Sequence, residues 1–321
     1  MSRILITGGL GFIGHNIAHR LEKLGHEIVV IDTRTNYGII NSDEIKYLMK
    51  ERWKKIKTPF VFNFDVCDYR NIEYIFAAHK FDIVIHLASF PRQKVVNNNP
   101  TYGSQVMCEG LLNLLENSKK FNVKKFVYIS SSMVYGDFID DTTEDTICEP
   151  IGQYGILKLT GENLVKDYHR RGIFDYVVVR PSAVYGPLDV TDRVLSKFVI
   201  SAMHNNTLRV NGSGEKLDFT YIDDTSDGIV LACLNEVANN KTYNITRSES
   251  VTLLDAAKLI VKTVGSGSIE ICDRDINFPS RGSLNIDKAR NELNFDPKIS
   301  LVEGIQKYYD FIKKSDFYNN I

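Results

Sequence analysis

The chain has few cysteines, no excess of either charge and no long apolar run. Its 321 residues include five cysteines, Cys67, Cys108, Cys148, Cys233 and Cys272. The set is odd in number and scattered, without C-x-x-C spacing, so it argues against a disulfide framework and against zinc, and it favours a reducing cytoplasm. The formal net charge is −1, so the basic excess typical of nucleic-acid or anionic-membrane binding is missing.

Length and hydropathy narrow the class further. No uninterrupted apolar run approaches the roughly 18 residues that span a bilayer. A strand pattern begins at Arg3, so we expect no signal peptide. With 43% hydrophobic residues, the chain is composed like a soluble enzyme that has one large core or two joined ones.

Two local patterns resemble motifs of other functional classes, a zinc site and a nucleic-acid-binding segment. His15 and His19 stand four residues apart as zinc ligands do, but no third ligand is near in sequence, so we expect no metal. Segment 42–58 holds Trp53 within a basic run, and the basic residues are Lys50, Arg52, Lys54, Lys55 and Lys57. Such a run can bind nucleic acid, but a single short one is more typical of a solvated helix face.

A glycine-rich turn follows the first predicted strand. Gly8, Gly11 and Gly14 form a G-x-x-G-x-x-G pattern between an apolar strand and a helical pattern. In this setting the three glycines permit, in order, a tight turn, close approach of the backbone to a pyrophosphate, and close packing of the helix on the sheet. The helix N-terminus offers free N–H groups to phosphates. We predict a dinucleotide here, with Phe12 and Ile13 beside it.

The second predicted strand indicates which dinucleotide binds. It ends in Asp32, eighteen residues after Gly14. A carboxylate at this place accepts hydrogen bonds from the adenosine ribose and repels a 2′-phosphate, so we predict NAD rather than NADP. Arg34 is a counter-signal, because a basic side chain can receive that phosphate, but we give Asp32 the greater weight.

Strand and helix patterns alternate over the N-terminal half of the chain. The predicted strands are 3–7, 27–31, 60–64, 82–87, 124–130 and 175–180, and the predicted helices lie near 12–24, 42–56, 68–79, 100–121 and 152–171. This order predicts an α/β fold with a Rossmann-type doubly wound parallel sheet that is covered on both faces.

The pattern changes after the sixth predicted strand. Segment 182–217 is rich in turn residues and has one helical stretch near 192–205. A sheet pattern resumes over 217–222 and 242–245, around a helix near 224–236, and shorter helices and loops follow, including 253–264 and 301–313. We predict that 1–181 plus 218–246 form the cofactor domain. The ranges 182–217 plus 247–321 then form a smaller, mixed substrate lobe, with the substrate in the crevice between.

A proton-transfer pattern lies on the helix predicted near 152–171. Tyr154 and Lys158 stand four residues apart, so on a helix they share one face. A positive charge near the phenol lowers the tyrosine's pKa from its ordinary value of about 10. Ser131, at the end of the apolar run 125–132, is placed to orient an alcohol that loses its proton. With a hydride acceptor, these three residues predict oxidation of an alcohol or sugar carbon.

These motifs together resemble the extended short-chain dehydrogenase/reductase family, in particular its nucleotide-sugar epimerases and dehydratases. The motifs are the Gly8/Gly11/Gly14 spacing, Asp32, Asp65-Val66, His86-Leu-Ala-Ser89, Ser130-Ser-Ser-Met-Val-Tyr-Gly136, Tyr154-Gly-Ile-Leu-Lys158, Arg180-Pro-Ser-Ala-Val-Tyr-Gly-Pro187, Asp218-Phe-Thr-Tyr-Ile-Asp-Asp224 and Arg281-Gly-Ser-Leu-Asn-Ile-Asp-Lys288. Each motif is modest alone, but nine in order along nearly the whole chain are a strong signal.

The resemblance implies roles for further residues. Asp65 and Val66 hold the adenine end of NAD, while Leu87 and Ala88 line the path beneath it. Tyr154 and Lys158 also belong to the cofactor site, where Lys158 hydrogen-bonds the nicotinamide ribose. The family's catalytic serine or threonine lies four residues before the tyrosine of the V-Y-G triplet. Counting back from Tyr135 gives Ser131, with Ser130 and Ser132 as near alternatives.

The implied reaction begins with oxidation of a nucleotide-diphosphate sugar, at C4, to a 4-keto sugar. A 4-epimerase that returns the hydride to the other face of the ketone is the leading prediction. A C4 dehydrogenase and a uronic-acid decarboxylase are the alternatives. The family's 4,6-dehydratases place Asp and Glu directly after the catalytic residue. Here those positions hold Ser132 and Met133, and methionine does no acid–base work, so we reject dehydration.

Two departures affect the predicted substrate contacts. Ala183 stands where the family often has a phosphate-binding Asn, and Leu217 stands where it often has an Arg. We predict substrate contacts from Ser132, Arg193 and Arg281, the last through a bidentate phosphate contact. The loop residues Arg92 and Lys94 are further candidates, although a solvated loop is the simpler interpretation.

Two questions of assembly and class stay open in the sequence. A non-catalytic NAD-binding sensor uses the same fold, although such proteins usually lose the tyrosine or the lysine. A homodimer is plausible, because in the resembled family helices like those near 100–121 and 152–171 often pair. The apolar face made by Leu111, Leu112, Leu114 and Leu115 serves equally well as core.

Overall fold

The computed structural model describes residues 1–35, 38, 40–90, 92–276 and 278–320. Its strands are β1 (Arg3–Thr7), β2 (Glu27–Ile31), β3 (Val61–Phe62), β4 (Ile83–His86), β5 (Lys125–Ile129), β6 (Asp175–Pro181), β7 (Val184–Tyr185), β8 (Thr207–Asn211), β9 (Lys216–Asp218), β10 (Thr220–Tyr221), β11 (Lys241–Ile245), β12 (Ser250–Thr252) and β13 (Ser268–Cys272). Its α-helices are α1 (Phe12–Lys23), α2 (Ser42–Trp53), α3 (Tyr69–His79), α4 (Gln93–Asn98), α5 (Pro100–Ser104), α6 (Gly110–Lys120), α7 (Gln153–Arg170), α8 (Val194–Met203), α9 (Ile222–Leu234), α10 (Leu253–Val264), α11 (Asp287–Leu293), α12 (Leu301–Lys313) and α13 (Asp316–Asn319).

Seven strands form one parallel sheet in the order β11-β6-β5-β4-β1-β2-β3. The order reverses at β1, which pairs in parallel with both β2 and β4. Successive residues of β1 enter opposite cores: Ile4 packs in the cluster that includes α1 and α9, and Leu5 in the cluster that includes α3, α6 and α7. The sheet is therefore covered on both faces, which confirms the predicted doubly wound α/β fold.

Local signals set the ends of several helices. Asp68 caps α3 by accepting a hydrogen bond from the Asn71 amide, and Ser300 caps α12 in the same way through Glu303. Gly265 ends α10 with φ +85°, a left-handed conformation that glycine adopts at little cost. The predicted helix over 100–121 is instead α5 and α6, joined by a π-helical turn over Gln105–Glu109.

The strand predicted over 217–222 does not continue the central sheet. β9 pairs antiparallel with β12, and β10 pairs with β7, each in a separate two-stranded sheet. Leu217, Phe219 and Tyr221 pack in a third core cluster with residues of α8, α10 and α12. Alternating apolar residues fit any sheet, so the pattern predicted a strand but not its partner. β11 does join the large sheet beside β6.

The remaining sequence features have mixed outcomes. β7, β8, β12 and β13 were not predicted, and the division into cofactor domain and substrate lobe stays a prediction. On α6, Leu111, Leu114 and Leu115 are fully buried, so most of that apolar face is core, and only Leu112 is substantially exposed. Within the described ranges, no helix is both long enough and apolar enough to cross a bilayer.

Candidate functional site

The carboxyl ends of the central strands open into a cavity of about 1120 Å³. Because β1, β2, β4, β5 and β6 are parallel, the turns that follow them meet at one edge of the sheet. Every residue predicted above as a catalytic, cofactor or substrate contact lines this cavity. A single small-molecule ligand usually occupies roughly 300–1,000 Å³, so this cavity has room for a dinucleotide together with a second ligand.

The glycine loop between β1 and α1 has no space for side chains. Gly8 has φ +69°, and a Cβ atom added there would lie 2.8 Å from the Ala88 amide nitrogen. A Cβ atom at Gly14 would collide with the Gly8 carbonyl oxygen. No side chain caps the first turn of α1. The loop therefore forms a bare backbone cradle at a helix N-terminus, which fits a pyrophosphate.

Asp32 follows β2 and faces the cavity. Its Oδ2 accepts a hydrogen bond from the Leu10 amide at 3.0 Å, and its Oδ1 accepts one from the Arg34 amide at 2.7 Å. Burial raises the pKa of Asp32, while these amides and nearby arginine side chains oppose the rise. Each carboxylate oxygen keeps a lone pair for a ribose hydroxyl, as the sequence predicted for NAD.

Arg34, the residue that could have favoured NADP, stacks its guanidinium on an aromatic ring. Its guanidinium carbon lies 4.4 Å from the centre of the Trp53 ring, within cation–π range. Among the described residues, Asp32 and Thr33 line the cavity and Arg34 does not. The Asp32 carboxylate, rather than the Arg34 guanidinium, therefore lies at the end of the cavity where we predict the adenosine.

Three consecutive serines follow β5, and their hydroxyls have different partners. Ser130 donates to Glu162 Oε1 at 2.6 Å, and Ser132 donates to Ser182 at 3.2 Å. The Ser131 hydroxyl accepts from the Met133 amide at 3.2 Å and lies near enough to the Tyr154 phenol to lower the pKa of that group. Ser131 is thus the serine that meets the tyrosine, whereas Ser132 reaches the cavity wall with its hydroxyl already engaged.

Lys158 lies on α7, one turn after Tyr154, and is buried. Its Nζ donates to the Ile129 carbonyl at 2.8 Å and lies 5.9 Å from the centre of the Tyr154 ring. Burial lowers the pKa of Lys158 to about 7, against the opposing charge of Glu162. The ammonium is therefore held beside the tyrosine with a pKa close to neutral pH, as proton-transfer sites often require.

Tyr154 departs from the sequence expectation. Burial raises the pKa of its phenol, and this outweighs the lowering by the charge of Arg193 and by the hydrogen bond with Ser131. The prediction that a neighbouring cation lowers this pKa overall is wrong for this structure, because desolvation is the larger effect. The strongest opposing charge also belongs to Arg193, not to Lys158.

The predicted substrate arginines lie in different surroundings. Arg281 is largely desolvated, its pKa falls to about 10 through burial, and among the described residues its Nε has no hydrogen-bond partner. One Arg281 nitrogen lies 4.0 Å from the Met133 sulfur. Arg193 is half-exposed, and its Nε lies 4.0 Å from the Asp189 carboxylate. Arg92 is anchored to Asp192 at 2.8 Å rather than solvated.

Two departures from the resembled family are also part of the cavity wall. Ala183 and Leu217 both line it. Arg209 and Arg274 line the same wall, and the sequence analysis did not predict either of them as a site residue. Arg274 is held by Glu215 at 3.0 Å.

Sequence reasoning missed several charged residues around the site. Arg52, interpreted as part of a solvated basic face, is only 3% exposed, so that interpretation was wrong for this residue. Glu162 and Arg180 form a buried ion pair, and the buried Asp189 carboxyl has its pKa raised to about 6 by burial. Arg52, Leu48 and Glu44 recur every four residues, and this spacing was the available signal.

The histidine pair does not form a metal site in this structure. His15 is fully buried, and its Nδ1 lies 2.9 Å from the Gly11 carbonyl oxygen. Burial lowers its pKa well below the ordinary range. Across the part of the chain that the structure describes, no group of three or more His, Cys, Asp or Glu side chains is arranged to hold a metal ion.

Comparison with known proteins identifies one family and several similar proteins. The model of the NAD dependent epimerase/dehydratase family matches residues 4–246. The uncharacterized UDP-glucose epimerase YtcB of Bacillus subtilis (strain 168) is 29% identical over 94% of this chain and 95% of that protein. UDP-glucuronic acid decarboxylase 1 of Arabidopsis thaliana is 29% identical over 99% of this chain and 70% of that protein.

A solved structure is similar over almost its whole length. It is the UDP-glucuronic acid 4-epimerase from Bacillus cereus in complex with UDP-glucuronic acid and NAD, 26% identical to this chain. The match has a TM-score of 0.88 and covers 97% of this chain and 99% of that one.

Proposed function

The chain belongs to the NAD dependent epimerase/dehydratase family, and from this premise we propose that it is a 4-epimerase of nucleotide-diphosphate sugars. NAD is the cofactor of the family, and the bare glycine loop and Asp32 fit it. One observation carries the proposal: Ser131 and Tyr154, with Lys158 beside the tyrosine ring, line the same cavity as the glycine loop.

The residues of the site have distinct tasks in this reaction. Bound NAD supplies a hydride acceptor that also returns the hydride. Ser131 orients the C4 hydroxyl of the sugar, and the Tyr154 phenolate takes its proton while the C4 hydrogen leaves as hydride, giving a 4-keto sugar. The positive charges of Lys158 and Arg193 favour the phenolate. When hydride returns to the other face of the ketone, Tyr154 gives the proton back to the oxygen, and no atom is gained or lost.

The surroundings of Met133 support epimerisation over dehydration. Its side chain packs against Arg281 at 4.0 Å, at the position where a dehydratase of this family places an acid. A thioether donates no proton to a leaving hydroxyl. A C4 dehydrogenase and a uronic-acid decarboxylase share the oxidation step, so they stay the alternatives, and a sensor is the alternative of another class.

Similarity to UDP-sugar enzymes points to a UDP-sugar as substrate. We assign the contacts with its anionic groups to Arg193 and Arg281, with Ser132 at the cavity wall. We further propose a homodimer paired through α6 and α7, where Leu112 and Ile156 are 39% and 48% exposed. A cytoplasmic location fits the five cysteines, all of which are free thiols.

Mass-resolved chromatography tests the proposed function directly. The protein is incubated with NAD and, separately, with UDP-glucose, UDP-galactose, UDP-glucuronate and UDP-galacturonate. We expect a new peak of unchanged mass from at least one of them. Loss of two hydrogens would show a dehydrogenase, and loss of carbon dioxide a decarboxylase. Loss of water would contradict our interpretation of Met133.

A variant separates the enzyme from a sensor. Tyr154→Phe removes one hydroxyl from a partly buried ring, so we expect turnover to fall at least ~100-fold, the scale of general acid–base catalysis. The affinity for NAD, followed by the fluorescence of Trp53, should stay within about threefold, because we assign the pyrophosphate to the glycine loop and the adenosine ribose to Asp32, and neither contact involves the Tyr154 hydroxyl. An unchanged reaction rate in Tyr154→Phe would overturn the proposed role of the phenol.

A further inference from the structure

α2 has two buried charged side chains on one face. Glu44, Leu48 and Arg52 are four residues apart, so they form a single stripe along the helix. Their exposed fractions are 3%, 0% and 3%. Glutamate and arginine are rarely buried this completely unless partners compensate the lost hydration. The stripe therefore marks contacts that α2 makes with something specific.

Arg52 connects two segments that are far apart in sequence. Its Nη1 donates to the Leu10 carbonyl of the glycine loop at 3.1 Å. Its Nε and Nη2 donate to the Leu188 carbonyl at 3.2 and 2.8 Å. One guanidinium thus holds the glycine loop and the segment after β7 against each other, because its planar fork can donate to both carbonyls at once.

Glu44 holds the same segment at a second point. Its Oε1 accepts from the Thr191 amide at 2.7 Å, and its Oε2 accepts from the Thr191 hydroxyl at 2.6 Å. We call the stretch 188–193 the α8 entry loop, because it leads into α8 and ends at Arg193. Both ends of the charged stripe on α2 therefore bind this loop.

The loop carries charged groups of the substrate side of the cavity. Leu188 has φ +69°, a conformation that a branched side chain adopts only under tertiary constraint. Asp189 follows with a buried carboxyl, and among the described residues its Oδ2 has no hydrogen-bond partner. Asp189, Asp192 and Arg193 all line the cavity. The position of these groups depends on how the loop is held.

The contacts continue to the adenosine end of the cavity. The Leu10 amide donates to Asp32 Oδ2 at 3.0 Å, while the Leu10 carbonyl accepts from Arg52. Asp32, Leu10, Arg52 and Leu188 thus form an unbroken series of hydrogen bonds. A ligand that fixes Asp32 also fixes Leu10, and the entropy cost of ordering the next member of the series falls.

We propose that Arg52 and Glu44 are positioning residues of the substrate site. They transmit occupancy of the adenosine end to the α8 entry loop, so that binding of the adenosine half of NAD orders the loop that carries Asp189 and Arg193. The link to substrate rests on the function proposed above, but the link between adenosine and loop does not. It follows that dinucleotide and sugar nucleotide reinforce each other's binding, and by the same factor in both directions.

Hydrogen exchange with ADP tests the link without any sugar. ADP contains the adenosine half of NAD and no nicotinamide, so it cannot reach the far end of the cavity. In protein freed of NAD and saturated with ADP, we expect exchange of the amides of 190–193 to slow by about fivefold or more. Arg52→Met should abolish this protection. Lys50→Met, an exposed change on the same helix, should keep it.

A second variant covers the case in which Arg52→Met does not fold. Thr191→Val removes the hydroxyl that Glu44 binds and changes little in shape, so we expect it to weaken the ADP-induced protection. In the NAD-loaded enzyme, both variants should raise KM for the UDP-sugar several-fold with a smaller change in kcat. A purely structural role would lower the active fraction and leave KM unchanged.

The ADP experiment tests the link from adenosine to the α8 entry loop independently of the proposed function. Equal ADP-induced protection in wild type, Arg52→Met and Thr191→Val would overturn it, as would no protection in wild type. Protection that is present in wild type and lost in the variants supports it even where no UDP-sugar reacts. In that case the proposed function fails and the link from adenosine to the loop stands.

Discussion

Glu162 and Arg180 form a fully buried ion pair one helical turn beyond Lys158. Arg180 Nη2 lies 2.7 Å from Glu162 Oε2, and Nε donates to Oε1 at 2.9 Å. Arg180 also donates to the Tyr135 hydroxyl at 2.9 Å, and Ser130 donates to the same carboxylate. The pair fixes the segment after β5 against α7, and the charge of Glu162 keeps the pKa of Lys158 from falling further.

Replacing Glu162 with Gln should therefore affect both stability and catalysis. The change leaves Arg180 buried without a counter-charge, which typically costs about 3–5 kcal/mol. It also lowers the pKa of Lys158, so the alkaline loss of activity should begin at lower pH. Urea denaturation and a pH profile of kcat measure the two effects. Asp167→Asn, which breaks an exposed ion pair on the same helix, should cost about 1 kcal/mol or less. Equal costs for the two variants would contradict the role of the buried pair.

Lys158→Met should make the protein more stable while it abolishes activity. Burial lowers the pKa of Lys158 to about 7. Between that pH and the ordinary lysine value of about 10.4, the unfolded chain binds more protons here than the folded protein, so this site favours folding increasingly as pH rises. The penalty for the buried ammonium is complete below pH ~7, where removing it helps most. We expect Tm to rise by about 2–4 °C at pH 6 and by less at pH 9.

The control for this prediction is an ordinary lysine. Lys119→Met, on the surface of α6, should change Tm little, and by the same small amount at pH 6 and pH 9. A Tm of Lys158→Met that falls at pH 6 would show that the hydrogen bond to the Ile129 carbonyl outweighs the cost of the buried charge.

The sequence could predict that the proposed catalytic and cofactor residues lie in one cavity, because their signals are local. Tyr154 and Lys158 share a helix face through their spacing alone. The glycines and Asp32 lie at fixed distances from strand ends, and parallel strands bring those ends together. Nothing in these arguments required knowledge of which distant segments touch.

The missed residues depend on such distant contacts. Arg52 binds Leu188, 136 residues away, and Glu44 binds Thr191, 147 residues away. In a sequence, a charged residue on an amphipathic helix indicates solvent, and only tertiary structure shows burial with a partner. The choice among three serines after β5 likewise depends on which hydroxyl the backbone turns toward Tyr154.

Gly14→Ala tests the close packing of α1 on the glycine loop. The new Cβ atom would collide with the Gly8 carbonyl oxygen, a rigid backbone atom, so the loop must move. We expect NAD affinity to fall at least ~10-fold, since a shift of the loop misplaces the pyrophosphate cradle. Gly214→Ala is the matched control, because a Cβ atom there meets nothing within 4 Å. Titration followed by Trp53 fluorescence measures both, and unchanged affinity in Gly14→Ala would contradict the packing argument.

The Asp32 carboxylate should determine the preference for NAD over NADP. A 2′-phosphate beside it suffers like-charge repulsion worth several kcal/mol, so we expect wild-type protein to bind NAD at least ~100-fold more tightly. Asp32→Asn removes the charge and should reduce the ratio of NAD affinity to NADP affinity to about tenfold or less, partly because NAD itself binds less tightly. Asp65→Asn, at the predicted adenine end, should lower the affinity for NAD and for NADP by the same factor. Because burial raises the pKa of Asp32, the preference of wild-type protein should also narrow as pH falls through that raised value. A preference that is constant with pH and unchanged in Asp32→Asn would show that Arg34, held on Trp53, or the loop beyond it decides the choice.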